Sequence, residues 1–287
     1  MALEFAYKDD LELVKHLRGL SYADLALGCG VSEKTVKRWA LGSAQPNSQN
    51  LAAFYDYAYD AGISLNSIKS QFHRETLESR GKIVLFHGSR TAIQGVLSLE
   101  RCNPGSDFGR GFYCGESSEQ AALFVSGHSD SSLYIAGFDP KRLRCERYVV
   151  DQDWMLTIAV FRGRLAEYAD HPRVKALVDR VRGADYVIAP IADNRMYEII
   201  SEFIDGITTD VVCEHCLAAT QLGNQYVFLT SDALASLELV ERCFLSRGER
   251  RRCSRQRKDD LKAAEDKVKA AKRLYRGEGR YIDELLS

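Results

Sequence analysis

Apolar residues recur at helical spacing over residues 9–17 (Leu11, Leu13, Val14, Leu17), and Gly19 stands where that helix should end. A second helix is expected over residues 22–27, halted by Gly28-Cys29-Gly30. Ser32 is placed to cap a third over residues 33–39, which Gly42 and Pro46 close. Residues 51–61 read as an apolar, aromatic-rich helix, and residues 64–80 as a polar bridging stretch. The pattern then changes period. Ile83-Val84-Leu85-Phe86 is short and β-branched, as a buried strand would be, and it runs into His87-Gly88-Ser89.

Further along, a short helix is expected over residues 91–99, then a Pro/Gly loop over 101–107 and a strand through Gly109-Arg110-Gly111-Phe112-Tyr113. Ser117 or Ser118 should cap a helix running to Phe124. Strands are expected over 133–138 and 144–150, helices over 154–164 and 174–181, and a buried strand over 184–191. Asp193-Asn194-Arg195 forms a polar loop at the end of that strand, a common place for functional groups. Helices over 196–204 and 210–222 and a last strand over 225–229 complete the body. Helices and strands neither alternate strictly nor repeat, so the class is α+β with a split, mixed sheet. The divisions expected are a helix-turn-helix module over residues 1–77, the α+β domain over 78–245 and a charged tail over 246–287. In the tail, Leu261, Ala264, Val268, Ala271 and Tyr275 form a thin apolar stripe on a helix for the body or a partner.

Composition narrows the partners. The net charge of −1 gives no whole-molecule attraction to nucleic acid or membrane, so any basic face must be local. One such face is Arg250-Arg251-Arg252 with Arg255, Arg257 and Lys258, a solvated helix or a nucleic-acid or antitoxin contact. No apolar run is long enough to span a bilayer and the N-terminus lacks a secretory layout, which points to a cytoplasmic protein without a membrane partner. The 8 cysteines are scattered, as free thiols in a reducing compartment would be. Cys213-Glu214-His215-Cys216 has metal-like spacing but no second pair, so no metal is expected.

Three segments carry candidate chemistry. His87 supplies a hydrogen-bonding ring at a strand end, Gly88 a bare backbone edge, and the glycines around Arg110 a close approach to something. By spacing alone, a glycine-rich strand with an aromatic is more commonly a bent edge strand than a ligand site. Together with Phe124, eleven residues beyond Tyr113, and Asn224-Gln225-Tyr226-Val227-Phe228, however, the set resembles the signature of the ADP-ribosyltransferase superfamily, in its diphtheria-toxin and poly(ADP-ribose) polymerase-like branch. The resemblance implies NAD as co-substrate and transfer of ADP-ribose to an acceptor. His87, Tyr113 and Gln225 would be the catalytic positions, and His87, Gly88, Ser89, Gly111, Tyr113 and Phe124 would hold NAD.

The glutamate usual in the family is here Gln225, which carries no charge and cannot act as a general base. Asp193 and Glu198 are the nearest candidates for the missing carboxylate, and Asp107 a poorer one. Separately, the segment VSEKTVKRWALGSAQP resembles the Xre/Cro-type helix-turn-helix. That implies DNA contacts from Ser32, Lys34, Thr35, Lys37 and Arg38, with Val36 and Trp39 packed inward, an operator as partner, and a homodimer. The alternative for these helices is a plain packing module. The resulting expectation is a mono-ADP-ribosyltransferase, the toxin of a toxin–antitoxin or phage-defence system with an antitoxin partner. The alternatives are a regulator with a non-catalytic NAD- or nucleotide-sensing domain, and an NAD glycohydrolase.

Overall fold

In the computed structural model, which describes residues 3–219 and 223–287, the helix punctuation read from the sequence takes physical form. Gly19 sits at φ 61°, the left-handed conformation that closes a helix without a Cβ clash. Ser21 accepts from the Asp24 amide and Asp24 returns the bond, a reciprocal cap. The elements are α1 (Tyr7–Arg18), α2 (Tyr22–Cys29), α3 (Glu33–Ala40), α4 (Ser48–Asp60), α5 (Leu65–Glu78), β1 (Ile83–Ser89), β2 (Phe112–Gly115), α6 (Ser118–Val125), β3 (Ser132–Phe138) and β4 (Cys145–Arg147). They continue with α7 (Gln152–Phe161), α8 (Pro172–Arg182), β5 (Tyr186–Pro190), α9 (Asn194–Ile204), α10 (Asp210–Ala218), β6 (Asn224–Phe228), α11 (Ser231–Ala235), β7 (Leu237–Phe244), α12 (Arg247–Leu274) and α13 (Ile282–Leu285). An N-terminal helical region, strands with both pairing senses and a C-terminal helix make the α+β class expected. No helix among the described residues is long and apolar enough to cross a membrane.

The chain divides into two compact units: Met1–Gly95 with Ser118–Phe138 and Glu238–Gln256, and Val96–Ser117 with Asp139–Leu237 and Arg257–Ser287. In the first, the strand order is β1-β3-β7, with β1 and β3 antiparallel from Ile83↔Phe138 to Ser89↔Ser132. Its helical core gathers Leu11, Val14, Leu25, Val36, Trp39 and Phe54, and a second cluster joins Leu77, Val84, Phe86, Val125 and Ile135. In the second unit the order is β4-β5-β6-β2. There β4 and β5 run parallel, while β6 is antiparallel to both β5 and β2, so that sheet is mixed. Its core is built around Trp154, Met155, Ile200, Phe203 and Val227, and takes in Val268 and Ala271 from the apolar stripe of α12.

Three departures from the sequence reading have polar causes. Residues 64–80 are not a bridge but hold α5, whose buried side includes Asn66, Lys69 and Ser70, so no apolar period announces it. Lys69 Nζ lies 2.7 Å from Asp10 Oδ2 and 2.5 Å from Glu241 Oε1, with Tyr55 donating to the same Asp10 oxygen at 2.6 Å and His73 at 2.5 Å from Glu241. Burial pushes the Asp10 carboxyl above its ordinary range, more than Lys69 and Tyr55 offset. Burial acts the same way on Glu241, but His73 and Lys69 outweigh it and hold that carboxyl below its range. The second departure is β7, which follows the strand expected to be last. Between the buried Leu237 and Cys243 stand the half-buried Glu241 and Arg242, the latter bonded to Ser132 Oγ at 3.0 Å, and these charged residues hide the strand signal. Third, the helix expected over 91–99 is absent: the Ile93 amide is drawn to Tyr134 Oη at 2.9 Å, and only a short 3-10 turn forms at Leu99–Arg101. Of the helix expected over 210–222, Asp210–Ala218 is present and 220–222 lie outside the described residues.

Candidate active site

The residues assigned to a dinucleotide site divide between the two units: His87, Gly88, Ser89 and Phe124 belong to the first, and Gly111, Tyr113, Asp193, Glu198 and Gln225 to the second.

In the first unit, the last residues of β1 are half-buried, and His87 faces across to Tyr134 with ring centroids 6.5 Å apart. The reason for glycine at 88 is visible in its neighbours. A Cβ there would collide with the Ala121 carbonyl oxygen and meet Val125 Cγ1 at 3.0 Å, so Gly88 lets α6 seat directly on the strand end. That helix carries Phe124, which is 51% exposed. An aromatic left this open on a packed helix is available for stacking.

In the second unit, Gly111 plays the corresponding part. A Cβ there would lie 2.7 Å from Val227 Cγ1 and 3.1 Å from the Phe228 carbonyl oxygen, so only glycine allows the approach to β6. The pairing sets Tyr113 opposite Val227 and Gly115 opposite Gln225. Tyr113 Oη accepts from the Phe108 amide and donates to the Gly109 carbonyl, both at 3.0 Å, which fixes the ring on the preceding loop. Burial pushes the Tyr113 phenol far above its ordinary range, so it remains a neutral donor.

Gln225 is 7% exposed and its amide nitrogen donates to Asp107 Oδ2 at 3.0 Å and to the Pro190 carbonyl at 3.1 Å. Asp107, itself buried, takes Arg162 Nε at 2.9 Å and Arg162 Nη2 on its other oxygen. The Arg162 guanidinium lies 4.0 Å from the Tyr197 ring centroid and also reaches the Ala192 carbonyl. The carboxylate beside Gln225 is therefore Asp107. Asp193 instead caps α9 by accepting from the Met196 amide at 2.9 Å, and Glu198 is exposed on that helix. Arg162 had no signal in the sequence, since it follows α7 as one arginine among many.

This network gives the departure at 225 a physical reason, because an amide can donate to Asp107 and a carboxylate cannot. Substituting Gln225→Glu should create a pair of carboxylates sharing one proton, which raises the pKa of the pair. A group whose folded pKa is raised stabilises below its unfolded pKa and loses that contribution as pH rises through the folded value. The variant should therefore melt closer to wild type at pH 5 than at pH 8, with a further penalty of about 1–2 kcal/mol across that interval. A constant difference in melting temperature at the two pH values would contradict the network.

On α3, Lys34, Lys37 and Arg38 are exposed, Thr35 is half-buried, and Val36 and Trp39 are in the core at 1% and 3% exposure. Ser32 caps the helix, accepting from the Thr35 amide at 3.2 Å, and Lys37 pairs with Glu33 at 2.7 Å. Cys213 and Cys216 are buried on α10, where their thiols reach the Ile199 and Val268 carbonyls, and His215 stacks on Tyr275 at 3.5 Å. These side chains serve packing.

The fold and these positions define an α+β protein with a glycine-edged strand seated under a helix in one unit and a glycine-edged strand pair in the other. A family of proteins of unknown function (DUF3990) matches residues 83–239, more than half of the chain, and the chain belongs to that family. No curated protein and no solved structure matches it.

Proposed function

We propose that the protein is an NAD-dependent mono-ADP-ribosyltransferase acting on a macromolecular acceptor, as the toxin of a toxin–antitoxin or phage-defence system. The observation that carries the reading is the pairing of β2 with β6. It sets Phe112 and Tyr113 opposite Phe228 and Val227, and Gly115 opposite Gln225, so two of the four segments on which the resemblance rests are neighbouring strands. The chemistry of the assigned residues suits a planar, amide-bearing ligand: in the first unit an exposed ring at Phe124 and a strand end at Gly88, and in the second a ring at Tyr113 held on its own loop.

NAD supplies the ADP-ribosyl group and releases nicotinamide. His87 binds a ribose hydroxyl, the Gly88 backbone grips the nicotinamide amide, and the Tyr113 and Phe124 rings exclude water from the leaving group. Gln225, with its amide nitrogen turned to Asp107 and Pro190, offers its carbonyl oxygen to the ribose 2′-hydroxyl. It takes no proton, so the acceptor must already be nucleophilic, and a single unit is transferred rather than a chain. The same tied amide favours a second reading, a regulator in which the domain binds NAD without turnover and α3 reads an operator.

Incubation with NAD labelled in the adenylate separates these outcomes. Label on a macromolecule supports transfer, free ADP-ribose would make the protein a glycohydrolase, and intact NAD would leave the regulator. His87→Ala and Tyr113→Ala should each lower turnover about a hundredfold or more. Activity surviving in both folded variants would remove the assigned site.

A further inference from the structure

The start of α12 is tied into the first unit by a dense set of hydrogen bonds. Ser246 Oγ accepts from the Glu249 amide at 3.1 Å, and Glu249 Oε2 accepts from the Ser246 amide at 3.0 Å, a reciprocal cap. Asn66 donates to the Phe244 carbonyl at 2.8 Å and to Glu249 Oε1 at 3.0 Å. The Arg247 amide reaches Asp56 Oδ1 at 2.7 Å, and a Cβ on Gly248 would overlap the Tyr59 ring, so α4 and the first turn of α12 are in close contact. The guanidinium groups beyond this turn project from a fixed platform.

Beside it lies a hollow of about 770 Å³, walled on one side by residues 126–129 and on the other by Arg247, Arg250, Arg251, Ser254 and Arg255. Arg250 shapes the rim by donating to the His128 and Ser129 carbonyls. The Arg247 charge is answered by Asp56 at 2.7 Å. Arg251 and Arg255 are exposed and stand one helical turn apart. Like charges at that spacing repel, a cost that an anion in the hollow would reverse. Among the described residues no carboxylate lines the hollow, and its only ring is the imidazole of His128.

That chemistry selects for phosphate over base. Guanidinium forks and serine hydroxyls match phosphate oxygens, and the positive end of the helix dipole adds to them. With no large aromatic face, the hollow has nothing on which bases could stack. From Arg247 to Arg255 the helix rises about 12 Å. Along one strand of B-form DNA, phosphates advance about 3.4 Å of axis each, so the stripe matches three or four of them.

We propose that this hollow is a sequence-independent binding site for the sugar-phosphate backbone of nucleic acid, separate from the α3 recognition helix and from the NAD-binding residues. The test is the salt dependence of binding to a fluorescein-labelled, mixed-sequence DNA duplex. It is measured in a Lys34→Ala/Arg38→Ala background so that α3 does not contribute. Adding Arg251→Ala/Arg255→Ala should weaken binding about tenfold or more at low salt and reduce the slope of log K against log salt by about 1.8. Arg251→Lys/Arg255→Lys should keep the salt slope, which counts charges, while losing part of the affinity that the guanidinium forks supply. Alanine variants that fold, by circular dichroism, and yet keep affinity within twofold and an unchanged slope would overturn the proposal. Displacement of the duplex by micromolar pyrophosphate would also overturn it, making the hollow a site for a free phosphate compound.

Discussion

Replacing Arg162 by methionine should destabilise the protein by about 3 kcal/mol, visible as a lower midpoint in urea unfolding. Arg162 gives both of its hydrogen bonds on the Asp107 side chain to one oxygen, and among the described residues the other oxygen is held by the Gln225 amide alone. Removing the guanidinium leaves a carboxylate at 5% exposure with one neutral donor. Combining Arg162→Met with Asp107→Asn should recover most of the loss, because the buried charge is then gone. A double variant no more stable than the single one would show that the penalty comes from packing against Tyr197 rather than from the ion pair. Under the proposed transferase reading, turnover should fall in the same single variant if the network orients Gln225, and the double variant separates that effect from simple unfolding.

Lys69→Met should cost as much or more, about 3–5 kcal/mol. Its ammonium is 7% exposed and lies between Asp10 and Glu241, whose side chains are 3% and 13% exposed. Methionine fills the volume but leaves two buried carboxylates facing each other across it. The triple variant Lys69→Met/Asp10→Asn/Glu241→Gln should regain at least half of the lost stability in urea titrations. An unchanged midpoint for Lys69→Met alone would mean that the cluster is open to water and worth little.

The same cluster explains what could and could not be read from the sequence. Helices α1 to α4 were legible because Leu11, Val14, Val36 and Trp39 fall on one side at helical spacing and Gly19 and Ser32 stand at their ends. Strands β3 and β5, and Val84, Leu85 and Phe86 of β1, were legible as apolar runs, since they are buried on both sides. By contrast α5 and β7 face each other through Lys69, His73, Glu241 and Asn66, and side chains of this kind read as surface until a partner 168 to 178 residues away along the chain is known. The candidate site shows the same division. Gly88, Gly111, Tyr113 and Phe124 carry local signals, a missing side chain or an aromatic at fixed spacing. Arg162 and Asp107 meet across 55 residues of chain, and nothing local marks the pair.

The lysine bridge also bears on how this protein can be dissected. Cutting the chain ahead of β1 would strand Glu241 on β7 without its lysine and histidine and would strip Asn66 and Asp56 from the start of α12. A shortened protein would then be impaired for reasons unrelated to DNA, and its silence in an assay would be misread as proof that the leading helices regulate catalysis. Separating the two proposed roles calls for single exchanges on the solvent side of α3, where Lys34 and Arg38 can be altered without touching that seam.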